Sequence, residues 1–395
     1  MTLDWKPTTW GELANLEYGK GLTGYENASG DYPVYGTNGK IGWHTEPLFN
    51  KAGVIIGRKG AYRGVHYSKT PFFVIDTAFY LKPKVELDLR WAYYQLLTQD
   101  INGMDSGSAI PSTSRPDFYA LPVKLPSIPE QRAIVDVLGS LDDKIELNRC
   151  MNTTLEAMAK ALFKSWFVDF DPVRAKAEYR QPYGMDAETA ALFPDDFEES
   201  PLGEIPRGWK VRTLDGIAKY LNGLALQKFP PKCDDYLPVI KIAQLRKNST
   251  EYADKASTNL DPDYIVDDGD VLFSWSGSLE VVIWCGGKGA LNQHLFKVTS
   301  DIYPKWFYYL WTKHHLADFQ QIAAGKATTM GHIQRHHLKQ ALTLVPPKRT
   351  LHWMTEQISP MIDLYIKNAV QSRNLAAMRD GLLPRLMRGE VRVRV

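Results

Sequence analysis

Cysteine is scarce in this chain: three residues in 395, at Cys150, Cys233 and Cys285. An odd number of thiols so far apart does not make a disulfide framework or a zinc site, so they read as free thiols in a reducing compartment, and the expected location is the cytoplasm. No run of 18 or more apolar residues occurs, so no membrane span is expected. The opening, MTLDWKPTTW, has no apolar core or cleavage pattern, and a secretory leader is not expected. Net charge is also nearly absent, +2 from 47 basic and 45 acidic residues. A nucleic-acid binder needs local potential, so that balance decides nothing.

Catalytic signatures are missing too. There is no G-x-x-x-x-G-K-[ST] phosphate loop, no Asn-Pro-Pro-aromatic run of the DNA-amino methyltransferase kind and no G-x-S-x-G elbow. One G-x-G-x-x-G exists, at Gly19, Gly21 and Gly24, but it runs into the turn-like stretch from Tyr25 to Pro33, not into a helix. His332, His336 and His337 have the spacing of half a zinc finger, without the Cys-x-x-Cys that would complete it. The expectation is a chain with no catalytic residues, no metal and no cofactor of its own.

What is present is a repeat. Trp10 with Leu13 and Leu16 parallels Trp209 with Leu214 and Ile217. Gly107-Ser-Ala parallels Gly325-Lys-Ala, and Ile128-Pro129 parallels Pro346-Pro347. After each proline comes a long helical pattern. From Glu130 to Val168 the apolar residues Ile134, Leu138, Leu141, Ile145, Leu155, Ala159, Leu162 and Trp166 fall at alternating steps of four and three, a heptad seam. An offset of 220 gives Met354, Ile358, Met361, Tyr365, Leu375, Leu382 and Leu386. The seam centre is polar: Asn148 and Asn152 in the first helix, Asn368 and Ser372 in the second. A buried Asn is costly unless paired, and fixes register when it is. Antiparallel pairing of the two helices would place Asn148 near Asn368. Arg379 is a charged intruder in the seam, and Pro360 and Pro384 are expected to bend or break the second helix. Phe163, Trp166 and Phe167 are expected to leave apolar surface beyond what one seam buries.

The segments before the helices are rich in Gly, Tyr, Thr and Val, with short runs such as Gly53-Val-Ile-Ile-Gly, Phe72-Phe-Val-Ile-Asp and Asp270-Val-Leu-Phe-Ser. Turn signals at Thr37-Asn-Gly, Asp268-Gly and Cys285-Gly-Gly separate them. Each segment also carries an apolar helical stretch, Leu89 to Gln99 and Pro304 to Ala324. The expected fold is α+β, an internal pseudo-two-fold repeat in which two similar recognition domains are separated by a pair of long antiparallel coiled-coil helices. The expected boundaries are 1–128 for the first domain, 129–170 for the first helix, 171–208 for an acidic connector, 209–349 for the second domain and 350–395 for the second helix and tail. Six acids lie between Asp186 and Glu199 in the connector. With antiparallel helices the two heads would lie at opposite ends, suited to two half-sites on duplex DNA.

Several segments carry a resemblance. Leu125-Pro-Ser-Ile-Pro-Glu-Gln-Arg-Ala-Ile opens the first long helix, and Phe170-Asp-Pro-Val-Arg-Ala-Lys follows it. Gly203-Glu-Ile-Pro-Arg-Gly-Trp209 enters the second head, Asp380-Gly-Leu-Leu-Pro-Arg-Leu-Met-Arg-Gly-Glu390 closes the chain, and Tyr32-Pro-Val-Tyr-Gly-Thr-Asn-Gly39 lies inside the first head. Together they resemble the specificity subunits of type I restriction–modification systems. The resemblance implies a target-recognition domain in each half, reading one part of a bipartite asymmetric site in double-stranded DNA. It implies helices that set the spacer and dock two methyltransferase subunits, with restriction subunits joining them. S-adenosylmethionine, ATP and magnesium would then belong to those partners. Pro360 and the Pro347-Lys-Arg-Thr opening of the second helix depart from the family pattern. The alternatives are an enzyme, which lacks its motifs, and a coiled-coil interaction scaffold, which leaves the duplicated heads unexplained.

Base reading needs amide, hydroxyl or guanidinium groups on exposed turns, and phosphate contact needs cations. The candidates in the first head are Tyr35, Thr37, Asn38, Lys40, Arg58, Lys59 and Arg63. In the second they are Lys241, Gln244, Arg246, Ser276, Lys326, Thr328 and Gln334. For each, exposure or turn formation competes with contact, and Tyr35 and Trp275 suit a core.

Overall fold

The computed structural model describes residues 5–25, 29–104, 110–232, 234–325 and 331–393. They form two compact units, one of residues 1–145 with 375–395, the other of residues 146–374.

In the first unit, β1 (Lys6–Thr9) leads into α1 (Trp10–Leu13) and β2 (Ala14–Tyr18). Then come β3 (Tyr32–Gly36), β4 (Gly39–His44), β5 (Gly53–Gly57), β6 (Val65–Ser68), β7 (Phe73–Val74) and β8 (Ala78–Pro83). Helices α2 (Leu89–Leu97) and α3 (Arg115–Ala120), strand β9 (Pro122–Leu125) and the long α4 (Ile128–Phe167) follow. Strands β2, β8, β5 and β6 make one antiparallel sheet in that order, and β4, β3 and β7 a second. The Thr37-Asn38 turn joins β3 to β4, and Gly39 at φ +115° occupies the left-handed region that the tight turn requires. Strand β1 pairs with β9 and closes the head beside the start of α4. The core holds Trp10, Leu16, Phe79, Trp91 and Phe118, and into it the long helices insert Ile134, Leu138, Leu386 and Met387.

The second unit repeats the order. It contains α5 (Asp171–Ala177), α6 (Ala187–Ala190), β10 (Phe197–Ser200), β11 (Gly203–Pro206), β12 (Lys210–Thr213), α7 (Leu214–Ile217) and β13 (Lys219–Asn222). Next come β14 (Leu237–Ile240), α8 (Ile242–Lys247), β15 (Lys255–Ala256), β16 (Ile265–Val266), β17 (Val271–Ser274), β18 (Val281–Ile283), β19 (Gly289–Leu291) and β20 (Leu295–Thr299). Helices α9 (Lys305–His314), α10 (Leu316–Ala324) and α11 (Arg335–Gln340), β21 (Leu342–Val345) and α12 (Lys348–Met387) complete the order. Strands β13, β20, β17 and β18 form the counterpart of the first sheet, and β12 pairs with β21 as β1 does with β9.

This topology corrects the repeat register. The tryptophan before each head's first closing strand is Trp5 in one unit and Trp209 in the other, so Trp10 matches Leu214, and Leu13 matches Ile217. Likewise α4 starts at Ile128 and α12 at Lys348, which matches Pro126 with Pro346. The stretch from 171 to 208, expected as a connector, is folded: Phe170, Val173, Phe193 and Ile205 share a core with Trp209. Its acids lie on the outside of a small structured layer. Phe163, Trp166 and Phe167, expected to leave apolar surface exposed, are 5%, 3% and 2% accessible; Phe167 packs against Trp209, Trp306 and Trp311, Phe163 against Trp311 and Trp166 against Trp353.

Both long helices are unbroken over 40 residues. Pro360 and Pro384 do not interrupt α12. Each proline frees the carbonyl four residues earlier, at Glu356 and Asp380, and both of those residues are exposed, so solvent can satisfy it. Within the second unit the helices run antiparallel through the polar seam centre. Asn148 Nδ2 donates to Asn368 O at 3.3 Å, Gln371 Oε1 at 2.9 Å and Ser372 Oγ at 3.2 Å. Asn152 Nδ2 donates to Tyr365 O, and Asn368 Nδ2 to Asn152 Oδ1. The flanking seam residues Leu141, Ile145, Leu155, Leu162, Met361, Tyr365, Leu375 and Leu382 are half-buried, as a two-helix seam allows, while Ile134, Leu138 and Ile358 sink into the heads.

The helices hold both heads by apolar packing reinforced by ion pairs. In the first unit Arg379 Nη1 donates to Asp142 Oδ1 at 2.7 Å, and Tyr94 Oη donates to Asp142 Oδ2 at 2.6 Å. Arg90 grips Asp143 through both terminal nitrogens and reaches Gly139 O, while Lys69 also pairs with Asp143. A side chain at Gly139 would meet that guanidinium at 2.9 Å, which accounts for the single glycine of α4. In the second unit the 220-residue offset puts Ile362 where Asp142 stands and Ala159 where Arg379 stands. Phe163 and Phe167 are stacked there at 5.1 Å and both pack against Trp311, beside ion pairs of Lys313 with Glu156 and Arg373 with Asp268.

Candidate nucleic-acid interface

In each head, the loop after strand β5 or its counterpart β17 pairs with the segment preceding the short helix α3 or α11. In the first unit Lys59 bridges Ser112, Gly60 N donates to Pro111 O and Thr113 N to Arg58 O. In the second Ser276 bridges His332, Gly277 N donates to Gly331 O and Ile333 N to Trp275 O. The same backbone device therefore builds the same edge twice, at the end of the sheet away from the long helices.

The first head gathers Thr37, Asn38, Arg58 and Lys59 at that edge. Thr37 Oγ1 donates to the carbonyls of Lys59 and Thr77, which ties the β3–β4 turn to the loop and turns the hydroxyl inward. Asn38 and Lys59 are exposed, as is Lys40, whose Nζ lies 3.4 Å over the Trp43 ring. Arg58 is half-buried and donates from Nη1 to Asp76 O. Tyr35 packs edge-on to Phe72 at 5.9 Å. His66, beneath the turn, has its pKa lowered by burial, against a smaller raising effect of the Thr37 carbonyl.

Three residues expected at the surface are buried instead. Arg63 is 2% accessible, and its guanidinium donates to the carbonyls of Gly60, Ile101, Asn102 and Met104, so it ties two loops together. Gln244 accepts from Lys241 N and caps α8. Ser276 is 4% accessible and bonds His294 Nδ1 at 3.0 Å. Lys241 and Arg246 are exposed but paired, with Asp254 and Glu280. Gln334 is exposed and caps the start of α11, its backbone N–H donating to His337 Nδ1. Lys326 and Thr328 lie outside the described residues. Arg246, Glu280, Gln320 and Gly331 line a cleft of about 500 Å³ at the second head's edge.

The charges at the two edges differ in kind. Among the described residues, no carboxylate lies within ion-pairing distance of Lys40, Arg58, Lys59 or Arg335, whereas 18 other basic side chains are paired. An unneutralised cation on a protruding edge is the arrangement that phosphate contact requires. Residues that sequence reasoning missed include the exposed aromatics Tyr18, Trp43 and Tyr62. Tyr62 lies between the candidates Lys59 and Arg63, but tyrosine alone does not distinguish surface from core. Among the described residues no helix is long and apolar enough to cross a membrane, and no cluster of three His, Cys, Asp or Glu could hold a metal ion.

The described residues thus carry an α+β head built twice, each on a sheet whose outer edge is closed by the same loop pairing. The chain belongs to the type I restriction modification DNA specificity domain family, whose model matches residues 2–157 and again 206–368. It is 26% identical over 350 residues to the type I restriction enzyme HindI specificity subunit of Haemophilus influenzae, covering 76% of this chain and 74% of that one. It is 24% identical over 365 residues to the MjaIX specificity subunit of Methanocaldococcus jannaschii, covering 88% and 79%. The fold is shared with the S subunit of a type I restriction-modification system from M. genitalium, with a TM-score of 0.61 at 15% identity over 98% of this chain and 96% of that one.

Proposed function

We propose that this chain supplies the DNA specificity of a type I restriction–modification complex and carries no catalytic centre. Each head reads one half of a bipartite, asymmetric site in double-stranded DNA. The helix pair sets the spacer and docks two methyltransferase subunits, which restriction subunits join. S-adenosylmethionine, ATP and magnesium belong to those partners. The observation that carries the reading is the twice-built edge, where the same backbone pairing presents different side chains in the two heads. Two readers with one frame and two surfaces suit a site with two unlike halves. Exposed apolar residues on the helices, Leu147, Met158 and Met378, at 52%, 47% and 55% accessible, support a partner-covered face.

The test is a head exchange. Residues 209 to 346 are replaced by those of another family member, and the complex with methyltransferase subunits modifies a random-sequence duplex library. One half of the methylated motif changes and the other is retained. A change in both halves would mean that the heads read one continuous site, and methylation without any motif would remove the DNA-reading role.

A further inference from the structure

The ladder registers allow the two edges to be superimposed residue by residue. In the first head Phe79 pairs with Tyr18 on one side and Ile56 on the other. In the second, Phe296 pairs with Asn222 and with Phe273. Tyr18 and Asn222 therefore hold the same place. Two residues beyond Ile56 and Phe273 stand Arg58 and Trp275, whose carbonyls accept the equivalent bonds from Thr113 and Ile333. Two residues further along those segments, Arg115 and Arg335 open α3 and α11.

These positions converge. Arg58 Cζ lies 4.7 Å from the Tyr18 ring centre, and Arg115 Cζ 5.1 Å from the same ring. In the second head Trp275 Nε1 donates to Asn222 Oδ1 at 2.8 Å, Trp275 lies 6.0 Å from the Phe296 ring, and Arg335 Cζ lies 5.6 Å from that ring. One head thus carries an aromatic on the first position and a guanidinium on the second. The other carries an amide on the first and an aromatic on the second. The third position is arginine in both. Among the described residues, none of the three arginines is paired with a carboxylate.

We propose that Arg115 and Arg335 are sequence-independent phosphate anchors, and that the pairs Tyr18–Arg58 and Asn222–Trp275 are the base-discriminating positions of their heads. The proposal rests on the DNA-reading function above. A residue common to two readers cannot make their sequences differ, whereas unlike residues on one frame can. Arg58 spends Nη1 on the Asp76 carbonyl, which fixes the plane of the guanidinium and leaves further donors for an acceptor pair. A guanidinium so presented matches guanine O6 and N7, so the first head reads a G·C pair there. The second head has no guanidinium at the matching position and reads its pair by shape and by the Asn222 amide.

The test uses the full chain assembled with type I methyltransferase subunits, a random duplex library for the motif, and binding titrations against salt. Arg58→Ala is expected to lose roughly ten- to hundredfold discrimination at one G·C pair of one half-site, and Arg58→Lys to relax the same pair while retaining affinity. Arg115→Ala and Arg335→Ala are expected to leave the motif intact and each lower the slope of log K against log salt by about 0.9. Thermal melting of each variant separates loss of fold from loss of contact, and the Arg58→Lys result decides the matter if Arg58→Ala does not fold. A motif unchanged by both Arg58 variants, or altered by either anchor variant, overturns the assignment. A wild-type complex with no motif at all instead removes the DNA-reading function on which it rests.

Discussion

Replacing Arg63 by alanine separates a structural arginine from a DNA-contacting one. The guanidinium is buried and donates to four backbone carbonyls, at 2.9 Å to Gly60, 3.2 Å to Ile101, 2.7 Å to Asn102 and 2.6 Å to Met104. A buried acceptor stripped of its donor costs roughly 1–3 kcal/mol, and bonds to a charged donor sit at the upper end. Water entering the vacated space would recover some of the four, so the net loss should be about 3–5 kcal/mol. For a unit of this size each kcal/mol lowers the melting temperature by roughly 2–4 °C, so the first unit's transition should fall by about 10 °C. Calorimetry of the full chain reads it, because the second unit contains none of these partners and its transition should not move. DNA binding measured well below the lowered transition should fall only as far as the population of folded first head falls. Unchanged melting with abolished DNA binding would refute the reasoning and return Arg63 to the contact surface.

Other consequences are open to measurement. Asn148→Ala removes the donor to Gln371 and Ser372 from the centre of the seam and should cost about 1–3 kcal/mol in urea unfolding; no change would show the polar centre to be dispensable. Hydrogen bonds from Arg90, and secondarily the Lys69 pair, hold the Asp143 carboxyl at about 2, below its ordinary 3.8. Its stabilisation is therefore full above pH about 4 and lost as pH falls toward 2, so the stability gap between the wild type and Asp143→Asn should narrow across that window. Because Asp143 is half-exposed, the gap should be modest, and a gap that persists at pH 2 would contradict the assignment. Seven residues inserted after Asn148 and seven after Asn368 keep the seam in phase and lengthen each helix by about 10 Å at ~1.5 Å per residue. Motif sequencing should then show unchanged half-sites and a spacer longer by up to about three base pairs at ~3.4 Å each, whereas an unaltered spacer would remove the helices as its ruler.

The repeat, the long helices and the pairing of their polar centres could be read from sequence because each follows from spacing. Heptads persist over many turns, and Asn148 and Asn368 break them at matching places. The finer register could not be read, because Trp10 and Trp209 look alike while strand pairing alone shows that Trp5 is the partner of Trp209. Proline as a helix breaker misled at Pro360, where an exposed carbonyl removes most of the penalty. Loop arginines look identical in sequence. Only three-dimensional closure distinguishes Arg63, whose partners Ile101 and Met104 lie some 40 residues away, from Arg58. Arg115 was reachable in principle, since the 220-residue offset maps it onto Arg335. Its convergence with Tyr18 depends on a sheet register that no local pattern encodes.

Each head is joined to the helices by an apolar core with ion pairs at its margin, and the two parts of a joint respond differently to the medium. Asp142, Asp143, Arg90 and Arg379 add charge at the first, as Glu156 with Lys313 and Asp268 with Arg373 do at the second, and salt screens such partly buried contact pairs only weakly. Ile134, Leu138, Leu386 and Met387 in the first and Phe163, Phe167, Trp306 and Trp311 in the second are held by exclusion of water, a force that salt leaves intact or strengthens and that weakens on cooling. Salt should therefore leave both joints largely in place, whereas cold should loosen both heads from the helices together.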